Sequence, residues 1–579
     1  RVWNLRKAGL GLLMGMKRDS QTPSFVEDTA VRVEDLPDYA REFQKLLDKY
    51  DTRCVFYAHV SVGELHLRPI INLRNEQGMQ KMKDIAEEVA DLVKSFRGSL
   101  SGEHGDGRAR SPYIEKVLGE EMMPVLQQVK EIWDPNYVFN PGKIVAPKPL
   151  EEDLRYSPET PDIDVESEFH WRKEGGFDSA IELCNGAGVC RKLADSGGTM
   201  CPSYMATKEE KDSTRGRANV FRQIFFERQM DAYNSSEIHE ALELCLSCKA
   251  CKSECPANVD MAKMKAEFMY RWQQDNGVSR AASFFGTPDR LYPLASKFSK
   301  LVNKAGKLAV SKWAAEKMFN IHPERDLPEF ADQTFIEWYT RNGKNTTEDC
   351  SSGTVLLLVD IFTNFHDPGI AKAALSVLRK LGYRVIIPGY IVTGRPQISK
   401  GLLDRAKVLF RKNLNKLDAY IQDEIPVVGL EPSELLTLRD EYPDMADEKE
   451  YEDAKKLADQ SYLFEEFINR HFEQYPATQN LVKEKKQTIH LHGHCHAKAL
   501  TGIEPLQKAL THFGYEVNHL ETGCCGMAGS FGYEKHHYQL SMDIGELTLF
   551  PAIRSLDESA IICAPGFSCR HQIMDGLQR

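Results

Sequence analysis

Three absences narrow what this chain does before any motif is read. No uninterrupted apolar run approaches the about eighteen residues that cross a bilayer, so no transmembrane helix is expected. No basic excess exists either. Against 74 Lys and Arg stand 85 Asp and Glu, and a net charge of −11 cannot neutralise a phosphate backbone, which excludes nucleic acid as the main partner. No secretory leader opens the chain, which starts at Arg1 rather than at a methionine; it is expected to be a fragment of a cytoplasmic protein, with the inner membrane face as a peripheral alternative.

What is present is ordinary for a globular protein: 42% hydrophobic and 27% charged residues over 579 positions, too many for one core and enough for three to four domains. The fourteen cysteines are the exception. Apart from Cys54 and Cys350 they fall in two groups, 184–255 and 495–569, with short spacings beside Pro and Gly. In a large chain without a leader, such groups point to metal rather than to disulfides.

Along the chain, residues 1–147 read as mixed α/β, with strands at 54–60 and 67–73 and helices at 77–96 and 116–133. An acidic, Pro-containing stretch at 148–180 reads as a linker, 181–275 as helices around the first cysteine group, and 276–350 as a helical connector. From 351 to 579 a strand–helix–strand pattern occurs twice, with strands at 353–359 and 384–388 around a helix at 369–381, then strands at 488–492 and 515–519 around a helix at 497–513. Leu381-Gly382-Tyr383 matches Phe513-Gly514-Tyr515, and Gly394 matches Gly526, in one register of 132 residues, so an internal duplication is expected.

Cys245-x2-Cys248-x2-Cys251-x3-Cys255-Pro256 has the spacing of a ferredoxin-type iron–sulfur motif, in which two-residue gaps converge three thiolates and the fourth serves another cluster. Zinc usually takes two Cys-x2-Cys pairs further apart. The preceding group is incomplete, with Ala187 between Cys184 and Cys190 where a ligand would sit, and Cys201-Pro202 as its last member. Crossover then gives a 4Fe-4S cluster to Cys201, Cys245, Cys248 and Cys251. It leaves Cys184, Cys190 and Cys255 for a second cluster, either 3Fe-4S or a cubane with one other ligand.

The last copy carries Cys495, Cys524-Cys525-Gly526 and Cys569, an arrangement that resembles the CCG cysteine-rich domain of glycolate oxidase iron–sulfur subunits and heterodisulfide reductases, which holds a cluster or zinc. In the first copy Thr363, Val392, Thr393 and Glu434 stand at the cysteine positions, so one centre is expected rather than two. His490, His492, His494 and His496 alternate on the strand leading in, each either a ligand or a half-exposed strand residue.

His59-Val60-Ser61-Val62-Gly63-Glu64-Leu65-His66, Gly102-Glu103-His104-Gly105 and Asn140-Pro141-Gly142-Lys143 resemble the C-terminal half of FAD-linked oxidases of the vanillyl-alcohol-oxidase type. With the two cysteine regions, the chain resembles the back two-thirds of bacterial fused D-2-hydroxyglutarate dehydrogenases. The fold this implies is a multidomain α+β and α/β protein: an oxidase-type substrate domain, an α-helical ferredoxin-like domain and a duplicated α/β CCG domain. The resemblance implies that His59, His66 and Glu103 hold Zn or Mn, that His104 is the catalytic base, that Arg6 and Lys17 bind substrate, and that Glu103 and Asn140 touch the cofactor. Glu64 stands where the family has an Asn that contacts substrate, and nothing in 1–147 resembles the family's flavin-binding front half, so this stretch alone is not expected to hold FAD. The implied activity is oxidation of a D-2-hydroxy acid, D-2-hydroxyglutarate first and D-lactate or glycolate as alternatives, with electrons leaving to a quinone or a soluble carrier. Homo-oligomerisation is compatible with this. The rival reading is a non-catalytic electron-transfer subunit resembling heterodisulfide reductase components.

Overall fold

A computed structural model describes residues 21–343, 350–482, 485 and 487–579. Arg6 and Lys17 lie outside the described residues. The chain divides into two compact units at Asp162 and Ile163, and mixes helices with both antiparallel and parallel sheets. Among the described residues no helix is long and apolar enough to cross a membrane.

The first unit is built on three strands, β1 (Thr29–Ala30), β2 (Cys54–His59) and β3 (Glu64–Pro69), in the antiparallel order β1-β3-β2. Helices Leu36–Lys49 and Glu76–Ser95 cover it because their apolar residues recur at helical spacing. Tyr39, Phe43 and Leu47 are buried from one, and Met82, Ile85, Val89 and Val93 from the other. Burying each such side chain contributes roughly 1.5–3 kcal/mol before the entropy of ordering it. Two boundaries differ from the sequence reading. The second strand begins at Glu64, not at 67, because Gly63 (φ +75) turns the chain straight into the hairpin. The expected helix 116–133 is two helices, Ile114–Leu118 and Met122–Trp133, separated at Gly119 (φ +92).

Residues 148–180 are not a free linker. Leu150 packs in the core of the first unit, while Phe169, Trp171 and Phe177 are buried in that of the second. There they join Phe221, Phe225, Tyr233 and Phe268 from helices Thr214–Arg228 and Met261–Asn276 and the turn between them, around five buried cysteines. Short helices fill 280–319, and Phe335–Asn342 leads to the sheets.

The first sheet contains β4 (Gly353–Leu358), β5 (Tyr383–Ile386), β6 (Val427–Gly429) and β7 (Ser461–Leu463), all parallel in the order β5-β4-β6-β7. The second contains β8 (Thr488–Leu491), β9 (Glu516–His519) and β10 (Ile561–Cys563), parallel in the order β9-β8-β10. The second order repeats the first three strands of the first sheet. Gly394 and Gly526 share the register and the left-handed conformation, φ +94 and +92. In each copy a short helix precedes the crossover helix: Ile361–Phe365 before Pro368–Lys380, and Cys495–Leu500 before Glu504–His512. The expected single helix 497–513 is therefore broken, because Gly502 (φ +81) leaves helical geometry and Pro505 starts a new turn.

A buried ion network ties the cysteine-bearing helices to the first sheet. Lys249 bonds Asp440 and Glu441, Lys252 lies 2.8 Å from Asp260 and 2.5 Å from Asp440, Arg395 meets Glu441, and Lys263 lies 2.7 Å from Asp444. Removing one partner leaves a buried charge uncompensated, at a cost of about 3–5 kcal/mol. Lys263→Met is expected to destabilise the second unit by about that amount in urea melts, and adding Asp444→Leu to recover part of the loss. A double variant no more stable than the single one would show that the pair is not a closed unit.

Candidate active site and cysteine centres

The hairpin brings the first site together. β2 ends at His59 and β3 starts at its partner Glu64, so His66 follows two residues later on the inner face, opposite Tyr57. The turn needs glycine at 63, since a Cβ there would meet the Val31 carbonyl oxygen at 1.9 Å. Glu103 and His104 arrive on a loop anchored by Asp28, whose carboxylate accepts both their backbone N–H groups at 3.0 Å. Glu103 Oε1 then lies 3.5 Å from His59 Nε2, 3.5 Å from His66 Nε2 and 3.3 Å from His104 Nε2. His66 is stacked between the rings of Tyr57 and His104, 4.6 and 5.2 Å away.

Glu64 joins this set. Its Oε1 is buried without a hydrogen-bond partner, 3.6 Å from His66 Nε2, and ligand atoms of His59, Glu64, His66 and Glu103 all lie within 4.8 Å of one another. Two imidazoles and two carboxylates around an unsatisfied buried oxygen fit a divalent cation such as Zn²⁺ or Mn²⁺. Burial, a hydrogen bond to Asp28 and the charge of Glu103 push Glu64 up to about 7. Burial alone would also raise Asp28, but hydrogen bonds from Glu64, Ser101 and the two backbone N–H groups outweigh it and hold Asp28 well below the carboxylate range. Without a cation the two share one proton, on Glu64. Neither Asp28 nor this role of Glu64 is legible in the sequence; Asp28 belongs to no motif. Asn140 is exposed in the loop after Met122–Trp133, and no hydrogen bond among the described residues joins it to the cluster.

No disulfide joins any of the cysteines among the described residues. Cys245 and Cys248 lie on a loop that curls because Ser247 and Lys249 adopt positive φ, Cys251 lies on the short helix Ala250–Glu254 that follows, and with Cys201 they bound a small cleft of about 20 Å³. Cys255 instead neighbours Cys190, which neighbours Cys184. Ala187, exposed at its loop tip, offers no ligand. The buried Arg217 guanidinium donates to Cys201 Sγ at 3.4 Å and feels the charge of Cys245, while Asp212 is 3.8 Å away. A buried cation aimed at sulfur fits an anionic thiolate cluster.

The second repeat holds Cys495, Cys524, Cys525 and Cys569 in one buried group. Cys524 bonds Cys495 and Cys525, and Cys525 also bonds Cys569. Contact with Cys524, Cys569 and His492 holds the Cys525 thiol well below its ordinary range, while Cys495 and Cys525 push Cys524 up. Gly526 is required, because a Cβ would meet the Ser541 carbonyl oxygen at 2.2 Å. Four adjoining sulfurs without a disulfide fit a metal or cluster. Strand β8 ends at Leu491, so His492 and His494 lie on the loop beyond it and His496 on the next helix, all three buried; His490 is half-buried on the strand. His492 rests against Cys525, and His496 Nε2 lies 3.1 Å from the Ser247 carbonyl oxygen. That contact and the charge coupling of Cys248 to Cys495 bring the two cysteine groups side by side.

In the first repeat the positions without cysteine gather acids. Thr363 bonds Asp360, Thr393 bonds Glu434, and Glu431 accepts the Phe567 N–H at 2.8 Å. Burial and the charge of Asp360 push Glu434 up to about 8, and burial with Glu431 raises Asp360 to about 6.

Comparison with known proteins gives two domain matches: FAD linked oxidases, C-terminal domain, over residues 1–144, and a 4Fe-4S dicluster domain over 183–260. The chain is 29% identical to D-2-hydroxyglutarate dehydrogenase of Haemophilus influenzae and 28% identical to that of Escherichia coli, each over 99% of this chain and 59% of the relative. It thus spans about three-fifths of the length of those relatives. It is also 25% identical to one subunit of the anaerobic glycerol-3-phosphate dehydrogenase of E. coli, over 49% of this chain and 70% of that protein.

The acid cluster has a pH signature. Unfolded, Glu434 ionises above its ordinary 4.5; folded, it keeps its proton to about 8. The folded state binds the extra proton in that window, so the stability this group contributes is full below pH 4.5 and is lost as pH rises towards 8. Glu434→Gln is expected to flatten this decline and to gain about 2–4 kcal/mol at pH 8.5 in thermal melts. Equal pH slopes in both proteins would place the ionised carboxylate in the folded state.

Proposed function

We propose that this chain forms part of an FAD- and iron–sulfur-dependent dehydrogenase that oxidises a D-2-hydroxy acid, D-2-hydroxyglutarate in first place, and passes the electrons to an acceptor. The observation that carries this reading is the gathering of His59, His66, Glu103 and His104 at one half-exposed site, on a chain that also holds three groups of thiols. An electron-transfer protein without its own substrate has no use for that histidine–carboxylate set.

His59, His66, Glu64 and Glu103 would hold the cation, and FAD and that cation together would supply the hydride acceptor and the polarisation of the C2 hydroxyl. His104, half-exposed beside Glu103, is the general base of this reading and would take the hydroxyl proton. Its backbone N–H on Asp28 fixes the loop that carries it, and its stacking on His66 limits ring rotation. Tyr57 and Arg68 hold Glu27, 2.9 and 2.7 Å away, behind His66 and keep the inner wall ordered. Helix Met122–Trp133 leaves Val125, Val129, Ile132 and Trp133 exposed on the same unit, an apolar face of the kind a flavin-binding domain covers. Arg6 and Lys17 remain assigned to the substrate carboxylates by resemblance.

D-lactate and glycolate share the reacting C2 centre and lack the second carboxylate, so relative kcat/KM for the three acids separates the readings. In the complete polypeptide, His104→Ala is expected to lower hydroxy-acid oxidation by about 10²–10⁴-fold while the metal content stays unchanged. Cys248→Ala is expected to lose one cluster's iron and sulfide yet retain flavin reduction by the hydroxy acid. Full activity in His104→Ala would remove that residue from the chemistry; loss of flavin reduction in a folded Cys248→Ala protein would overturn the order of electron flow.

A further inference from the structure

A cavity of about 1440 Å³ opens in the second unit, well beyond the roughly 300–1,000 Å³ of an ordinary small-ligand pocket. Its wall includes Cys495, Cys524, Cys525 and Cys569. Aromatic side chains, among them Phe285, Tyr292, Phe330 and Phe531, line it as well, and so do the exposed Leu291, Leu294, Phe298 and Leu327. This exposed part of the wall comes from helices Pro288–Ala295 and Ser299–Gly306, the turn between them and the segment 326–330; helix Ala309–Phe319 follows Ser299–Gly306 without lining the cavity. These leave Leu294, Phe298, Leu301, Val310 and Trp313 at least half exposed. Among them stand Lys297, Lys300, Lys304 and Lys317, while Lys307 and Lys312 pair with Glu329 and Asp326 at 2.6 Å, in a chain whose net charge is −11.

A large, mostly apolar cavity walled in part by cysteine sulfur, beside exposed apolar helices that carry lysines, selects for a particular ligand. Small hydroxy acids are too polar and too small for it. The wall also contains a polar group without a partner: Glu434 is fully buried, its Oε2 accepts from Thr393, and its Oε1 lacks any hydrogen bond just behind the cavity surface.

We propose that this cavity is the electron-acceptor site and that it takes a membrane quinone, the ring beside Glu434, the isoprenoid tail along Phe298, and the lysine-bearing helices resting on an anionic lipid surface. This rests on the dehydrogenase reading for the source of the electrons. The balance closes: oxidation of the hydroxy acid breaks its O–H and C2–H bonds and releases two electrons and two protons. The quinone takes up both, each carbonyl oxygen gaining one O–H bond, to give the quinol. Burial and the charge of Asp360 keep the Glu434 carboxyl protonated near neutral pH, with Arg395 opposing and Glu431, Tyr292 and Tyr442 also facing it, so Oε1 offers a proton donor to one quinone carbonyl. The exposed helices beside the cavity follow the pattern of interfacial helices, whose apolar residues enter the headgroup layer while lysines meet anionic lipid.

The test supplies electrons chemically, so that it stands apart from the hydroxy-acid reading. The complete protein, reduced with dithionite and freed of excess reductant, is mixed anaerobically with decyl-ubiquinone. Quinol formation is expected in proportion to the reduced centres, slowed at least tenfold in Ala295→Phe, which narrows the cavity, and in Glu434→Gln. In the oxidised protein decyl-ubiquinone is expected to quench Trp272 at the cavity wall, and less so in Ala295→Phe. The protein is expected to sediment with vesicles of phosphatidylglycerol and phosphatidylcholine but not of phosphatidylcholine alone, and Phe298→Glu to abolish this. Quinone reduction unaffected by Ala295→Phe, or reduced protein that reoxidises only with a soluble carrier protein, would overturn the proposal. Failure of hydroxy acid to reduce a protein that still reduces quinone would instead overturn the dehydrogenase reading alone.

Discussion

The arrangement of the second unit depends on charges that have been taken out of water. Lys249, Lys252, Asp260, Asp440, Glu441 and Arg395 are all buried or nearly so, and each ion depends on the others for compensation. Burying an isolated ion costs several kcal/mol, so this network stabilises one mutual placement and penalises every displacement that opens it. Lys249 and Lys252 sit within or beside the Cys248–Cys251 stretch, while Asp440 and Glu441 close the helix after β6. The cysteine loop is thereby clamped to the first sheet, and His496 reaches the Ser247 carbonyl oxygen. The proximity of two cysteine groups remote in sequence follows from that clamp.

The two parallel sheets, alike in strand order, carry different chemistry at corresponding strand ends. Strand order, the short helix after the first strand and the left-handed glycine are kept in both copies. The side chains at the strand ends are not. One copy presents four soft sulfurs, and the other presents Thr363, Thr393, Asp360 and Glu434, hard oxygen groups that bond one another. Sulfur in a buried pocket binds metal ions and moves electrons; a buried carboxyl group next to another carboxyl group holds protons.

Much of this was legible in the sequence, and the reasons differ by feature. Cysteine spacing in Cys245–Cys255 reports local loop geometry, so it predicts which sulfurs converge. The 132-residue register reports a backbone repeat and survives the loss of ligands. The hairpin histidines were visible because two residue types recur in a short motif. Asp28 was not, since it reaches Glu103 and His104 from a distant part of the chain and its role is to accept their backbone N–H groups. Glu64 stands out in the sequence only as a substitution; that it turns inward beside His66 depends on the pairing register. The breaks at Gly119 and Gly502 were hidden because apolar periodicity continues past them, while the backbone does not. The cavity has no sequence signature at all, as its walls come from segments far apart in the chain.

Charge placement also separates the handling of electrons from the handling of protons. Beside the thiols stand buried cations: Arg217 at Cys201, and Lys265, whose ammonium donates to the Cys245 carbonyl oxygen at 2.7 Å and is driven down to about 8 by burial. A positive charge in low dielectric lowers the cost of adding negative charge nearby, which favours a reduced cluster without moving a proton. Carboxyl groups raised by burial lie elsewhere, Glu64 beside the histidines of the first unit and Glu434 at the cavity in the second. In the proposed reaction, oxidation of a hydroxy acid releases protons and reduction of a quinone consumes them, while clusters carry only electrons. Of the two raised carboxyl groups, Glu434 is the one suited to such proton transfer, because Glu64 gives up its proton when it holds a cation.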